Sequence, residues 1–193
     1  MNKLTQGDLH SLEAYAKLRP EFRARVMEHK RNRRLPIGEH ITLIFEDRLT
    51  MQYQIQEMLR VERIFEEQGI LDELNAYNPL IPDGSNWKAT MMIEYEDEEE
   101  RRLALQGLVG IEDQIWVQIG DSDPIRAIAD EDIDRSTQDK TSSVHFLRFE
   151  LPAETVVELK NGASLRAGVS NPHYSYSAEV DGAIRESLIA DLD

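Results

Sequence analysis

The second half of this chain carries one order of elements twice, and that order restricts the fold more than any other feature. Residues 90–95 read as a strand, 98–106 as a helix capped by Asp97, and 114–119 and 125–129 as strands. Residues 144–151 then read as a strand, 152–160 as a helix, and 165–169 and 174–180 as strands. Both halves run β-α-β-β. Pro152 opens the second helix and Asn161-Gly162 closes it, the usual asymmetry of helix ends. The halves share little sequence, so the repeat lies in the pattern alone. Asp181 caps a terminal helix bearing Ile184, Leu188 and Leu192. Alternating strands of this kind imply a mostly antiparallel sheet with helices on one face.

The first half is richer in helix. Thr5 and Asp8 form a capping box for a first helix with Leu9, Leu12 and Tyr15 on one stripe. Arg19 precedes a proline and is expected to be extended. Pro20 suits the first turn of a second helix, whose apolar side is Phe22, Val26 and Met27. Leu35-Pro36-Ile37-Gly38 ends this helical hairpin. His40-Ile41-Thr42-Leu43-Ile44-Phe45 reads as a strand. Residues 46–65 form one long helix stopped by Gly69, and 70–77 a short extra one. The predicted class is α+β: an N-terminal helical hairpin and a long helix packed on a mostly antiparallel sheet. Residues 1–77 make the mainly helical part with one strand, and residues 78–193 the sheet part, within one compact domain.

The long helix carries charged or amide side chains on more than one face. Polar groups that face a core must be paired, so this helix organises a buried polar network or a site. Gln52 and Gln56 flank Tyr53 and serve either a ligand or the rigidity of the helix junction. Residues 78–87 are a loop stiffened by Pro79 and Pro82, with a turn at Asp83-Gly84. Its Trp87 is either a partner contact or a plug for the core.

The chain has no cysteine, which excludes disulfides, thiol nucleophiles and cysteine-ligated clusters within it. The amino terminus has no apolar signal core, and no run reaches the length of a membrane span. The expectation is a cytoplasmic protein that does not enter a membrane. A net charge of −15 argues against nucleic acid. Yet residues 19–34 set seven basic side chains against two acidic ones. Arg23, Lys30, Arg31, Arg33 and Arg34, with Trp87, are the candidates for binding an anion or an acidic partner. The competing reading is a solvated basic helix end.

His145 shares a strand face with Leu147, Phe149 and Leu151 and is expected inside, either as a hydrogen-bonded core histidine or as a metal ligand or general base. His40 opens the first strand. With Glu46 and Glu57, these histidines form a candidate ligand set suited to iron, manganese or zinc. No His-Glu-x-x-His or Glu-x-x-His spacing supports it. Glu57, Arg60, Glu62 and Arg63 read as surface ion pairs. Phosphate loops, nucleophile elbows and dinucleotide fingerprints are absent from the sequence.

Four segments carry a resemblance. They are Tyr15-Ala16-Lys17-Leu18-Arg19-Pro20-Glu21-Phe22-Arg23, Phe45-Glu46-Asp47-Arg48-Leu49-Thr50-Met51-Gln52-Tyr53-Gln54, Asn78-Pro79-Leu80-Ile81-Pro82-Asp83-Gly84-Ser85-Asn86-Trp87 and His145-Phe146-Leu147-Arg148-Phe149. Together they resemble an uncharacterised bacterial family, domain of unknown function 3501, over nearly the whole chain. The resemblance implies a genomic setting beside a rubrerythrin-like di-iron protein and a cysteine-rich iron–sulfur oxidoreductase, and so a part in peroxide or redox defence. It implies no catalytic residue. Two expectations follow. The first is a non-catalytic accessory protein that binds such redox partners, with a homodimer as the default assembly. The second is a metal-dependent enzyme or metal-delivery protein using His40, Glu46, Glu57 and His145.

Overall fold

The computed structural model describes residues 2–131, 135–137 and 139–193. A short 3-10 turn, Gln6–Asp8, opens the chain. The Asp8 carboxylate accepts from the Thr5 N–H at 2.8 Å, so the expected capping pair forms, on a turn and not on a helix. One helix, α1 (Leu12–Arg31), follows and runs through Pro20. The helical hairpin expected around that proline is therefore a single helix. Proline removes one ladder donor, and burial of Tyr15 and Val26 on either side outweighs that loss.

Strands β1 (Arg34–Ile37) and β2 (Ile41–Glu46) form an antiparallel hairpin. The segment around Pro36, expected as a break, is thus a strand. It lies at a sheet edge, where a missing N–H leaves no interior ladder bond unmade. Gly38 turns the hairpin at φ +70°, and a Cβ there would lie 2.5 Å from the Tyr174 hydroxyl.

Helix α2 (Arg48–Glu62) is capped by Asp47. The Asp47 carboxylate accepts from the Thr50 N–H and the Asp47 N–H donates to the Thr50 hydroxyl, both at 2.9 Å. The helix stops at Arg63, which is left-handed at φ 56°. Gly69 does not end it; Gly69 lies inside α3 (Glu67–Tyr77). A Cβ at Gly69 would come within 2.6 Å of the Ile64 side chain, so the glycine serves close packing.

A 3-10 turn, Asn78–Leu80, leads into β3 (Asn86–Ile93). Then come α4 (Glu98–Gly107), a 3-10 turn at Ile111–Gln114, β4 (Ile115–Ile119), β5 (Ile125–Arg126) and β6 (Ile128–Ala129). The chain closes with β7 (Val144–Glu150), α5 (Ala153–Lys160), β8 (Leu165–Asn171), β9 (Tyr174–Glu179) and α6 (Gly182–Ile189). The class is α+β with antiparallel pairing throughout the described strands. The strands divide between two sheets, ordered β1-β2-β3-β7-β6 and β5-β4-β8-β9. The strand expected over residues 125–129 splits at Ala127 and crosses from one sheet to the other.

The main core lies between the sheets. Phe45, Trp87, Met91 and Phe149 from the first meet Ile115, Val117, Ala167 and Val169 from the second, and Leu105, Leu159 and Leu188 close its margins. A second apolar cluster, with Met51, Ile55, Leu59 and Leu74, joins α2 to α3. Among the described residues, no helix is long and apolar enough to cross a membrane.

The repeat is visible in the sheets. The units β3-α4-β4-β5 and β7-α5-β8-β9 pair their first strands antiparallel in one sheet and their third elements antiparallel in the other. Their last strands flank the second sheet on opposite edges. The two units are thus placed as by a pseudo-twofold axis. The pattern breaks after β5, where the chain returns to the first sheet as β6 before reaching β7.

Candidate functional site

The break in the repeat is where polar groups gather. Strand β7 alternates, so His145, Leu147 and Phe149 face the core while Val144, Phe146 and Arg148 face away. His145 sits opposite Met91 and is wholly buried. Asp130 follows β6 directly. Its backbone is left-handed at φ 47°, a conformation aspartate tolerates better than most residues. Its N–H donates to the Phe146 carbonyl at 2.8 Å. Its carboxylate accepts from the Phe146 N–H at 2.9 Å and lies 3.2 Å from Arg135 Nε. The other carboxylate oxygen meets His145 Nδ1 at 2.5 Å.

The far side of the imidazole meets a second carboxylate. His145 Nε2 lies 2.8 Å from the Thr141 hydroxyl, 3.0 Å from the Ser142 carbonyl and 3.9 Å from Glu112 Oε2. Glu112 comes from the 3-10 turn before β4 and is nearly buried. It accepts from the Thr141 hydroxyl at 3.1 Å and from the Ser136 hydroxyl. Thr141 is fixed by its N–H on the Leu105 carbonyl at 3.0 Å. The Arg135 guanidinium lies over the Phe146 ring, 4.6 Å from its centre. One ligand atom from each of Glu112, Asp130 and His145 falls within 4.8 Å of the others, a spacing that a metal ion can span.

Of the four ligands expected from sequence, only His145 belongs to this cluster. The other three lie in separate surroundings. His40 stacks on Tyr95 with ring centres 3.9 Å apart, and its Nδ1 is 3.1 Å from the Glu94 carbonyl. Glu46 is buried on the other face of β2, accepting from the Thr90 hydroxyl at 2.7 Å, and among the described residues its second oxygen has no hydrogen-bond partner. Glu57 accepts from Tyr15 at 2.7 Å and from Arg19 at 2.7 and 2.9 Å, with Arg60 3.3 Å away. The Arg19 bridge, with help from Tyr15 and Arg60 against partial burial, holds the Glu57 carboxyl down at about 2. Glu57 is therefore a helix-to-helix tie between α1 and α2.

The basic set also separates. Arg33 is buried, not a surface cation. It donates to the Phe45 and Glu46 carbonyls, to the Ser187 hydroxyl and to the Asp191 carboxylate, with Asp47 3.5 Å away. Burial pushes Asp47 up, and Arg33, Thr50 and His29 more than offset this, leaving it below the usual carboxylate range. Trp87 is likewise buried, donating to the Leu188 carbonyl at 2.9 Å and standing edge-on to Phe45. It is the core plug, not a partner contact. Arg31 pairs with Glu28, and Arg34 with Glu94. Lys30 and Arg34 line a cavity of about 260 Å³ beside Ile44 and Met92. Arg23 is exposed.

Glu112, Asp130 and Thr141 carry no spacing signal. They lie 18, 11 and 29 residues apart along the chain, Glu112 before β4 and the other two between β6 and β7. Only the tertiary fold unites them.

No curated protein matches this chain. A crystal structure of a novel protein of unknown function from Burkholderia pseudomallei is similar to it at 53% identity, with a TM-score of 0.94 and full coverage of both chains. The family model described as protein of unknown function (DUF3501) matches residues 3–192. The chain belongs to the DUF3501 family.

Proposed function

We propose that this protein binds a first-row divalent metal at Glu112 and His145, as an accessory component of a redox module. The single observation behind the metal is the buried convergence of two carboxylates on opposite nitrogens of one imidazole. Arg135 answers Asp130. Among the described residues Glu112 meets two hydroxyls and the imidazole, and no lysine or arginine. A cation between His145 Nε2 and Glu112 supplies the missing charge. Asp130 then acts as the carboxylate that orients the ligating ring. Two ligands about 2 Å from a tetrahedral ion lie about 3.3 Å apart, so the 3.9 Å gap closes by a small side-chain shift. Mixed nitrogen and oxygen ligands suit manganese, iron or zinc. The redox setting, with a rubrerythrin-like or iron–sulfur partner, rests on the family resemblance alone.

Elemental analysis after loading with each of the three metals tests the site. The expected result is near-stoichiometric metal in the wild type, lost in both Glu112→Gln and His145→Gln while thermal unfolding stays cooperative. A metal-free wild type, or metal kept by both variants, overturns the reading and leaves the cluster as a lock that ties Glu112, Asp130 and Thr141 to β7.

A further inference from the structure

The other face of β7 carries a different feature. There the first sheet and the end of α3 enclose a cleft of about 580 Å³, walled by Tyr77, Pro79, Leu80, Ile128 and Phe146. Lys88 and Arg148, cross-strand neighbours on β3 and β7, contribute the cations. Their situations differ sharply. Arg148 is saturated: Glu131 receives two of its nitrogens at 2.6 Å and Glu150 a third. Lys88 is half-buried, and among the described residues no hydrogen bond or ion pair reaches its ammonium. Burial first, and then Arg148, lower its proton affinity from the ordinary lysine value, and the nearby carboxylates of Glu131, Glu150 and Asp83 offset this only in part. A half-buried ammonium with no hydrogen-bonded partner among the described residues is costly, and the cost falls when an anion arrives in direct contact. A mainly apolar cleft of this size with one or two placed polar groups is the usual form of a small-molecule site.

We infer that this cleft binds a small amphipathic carboxylate, its acid group on Lys88 and its apolar body against Tyr77, Leu80 and Phe146. The His145 ring lies on the opposite face of the sheet by alternation along β7, and the link between the two places is Arg135, which pairs with Asp130 and lies over the Phe146 ring. Lys88, and not Arg148, is the recognition group, since the arginine already has its carboxylates. Cross-strand from Lys88 on its other side stands Glu46, with one buried oxygen that has no hydrogen-bond partner among the described residues, and Glu131, Glu150 and Asp83 are the other acids near the ammonium with which a ligand carboxylate competes.

Calorimetric titration with octanoate tests the inference, with octanol as the uncharged comparison. The wild type should take up octanoate more tightly than octanol. Lys88→Met, which keeps the stem and removes the charge, should weaken octanoate about tenfold, as expected for a lost charge-assisted contact, and leave octanol unchanged. Ile128→Trp, which adds bulk at an exposed residue of the cleft lining, should abolish uptake of both and provides a second route if Lys88→Met fails to fold. No octanoate binding by the wild type, equal binding of acid and alcohol, or unchanged octanoate affinity in Lys88→Met overturns the proposal.

Discussion

Arg33 shows how position outweighs residue type. In the sequence it is one of several cations in a basic run, alike in kind to Arg31 and Arg34. In the fold it continues the alternation of β1: Arg33, Leu35 and Ile37 point inward, and Arg34 and Pro36 outward. The signal was present once the residues around Pro36 are taken as a strand and not as a break. Replacing Arg33 with methionine strands Asp191 and Asp47 without their cation, so urea unfolding should show a loss of about 3–5 kcal/mol. Glu57 makes a second residue-scale prediction. Its folded carboxyl titrates at about 2 against an ordinary 4.5. Its stabilising contribution is thus complete above 4.5 and declines as pH falls towards 2. Thermal midpoints followed through that acid window should fall more steeply in the wild type than in Glu57→Gln; equal slopes would remove Glu57 from the acid response.

At the scale of elements, most helices and strands were legible because their signals are local. Asp97 before α4, the alternation in β7 and the proline before α5 each act within a few residues. The errors came where tertiary contacts override a local preference. Pro20 read as the start of a second helix and Gly69 as a stop, yet packing carries a helix through each. The real end of α2 is Arg63, a non-glycine residue in the left-handed region. Arg63→Gly should therefore raise stability by up to about 1 kcal/mol, by removing a side-chain clash that the backbone imposes. A lower urea midpoint in that variant would mean that the arginine stem contributes packing that outweighs the backbone gain. The division of residues 125–129 between two sheets had no sequence signal, since both pieces are equally β-prone.

At the scale of the molecule, the doubled β-α-β-β order was visible, whereas its closure into two facing sheets was not. Period-two alternation says that a strand has a buried face; it does not name the sheet across from it. The candidate cluster was hidden for a related reason. His145 could be placed inside from its strand neighbours, but Glu112 belongs to the turn before β4, and Asp130 and Thr141 to the connection that interrupts the repeat. Rules broken in one place are often the mark of a site.

The Arg33–Asp191 pair spans 158 residues, nearly the whole chain. At bacterial or eukaryotic synthesis rates of about 5–20 residues per second, roughly 8–30 s pass between the making of the arginine and of its aspartate. During that interval β1 and β2 must wait with Asp47 as the one carboxylate yet made for that cation among its described partners, so the joint cannot set before Asp191 has been made. Nascent chains stalled before Asp191 should stay open to protease at residues 33–46, and released full-length chains should become resistant. A resistant stalled chain would show that the amino-terminal hairpin closes without its last partner.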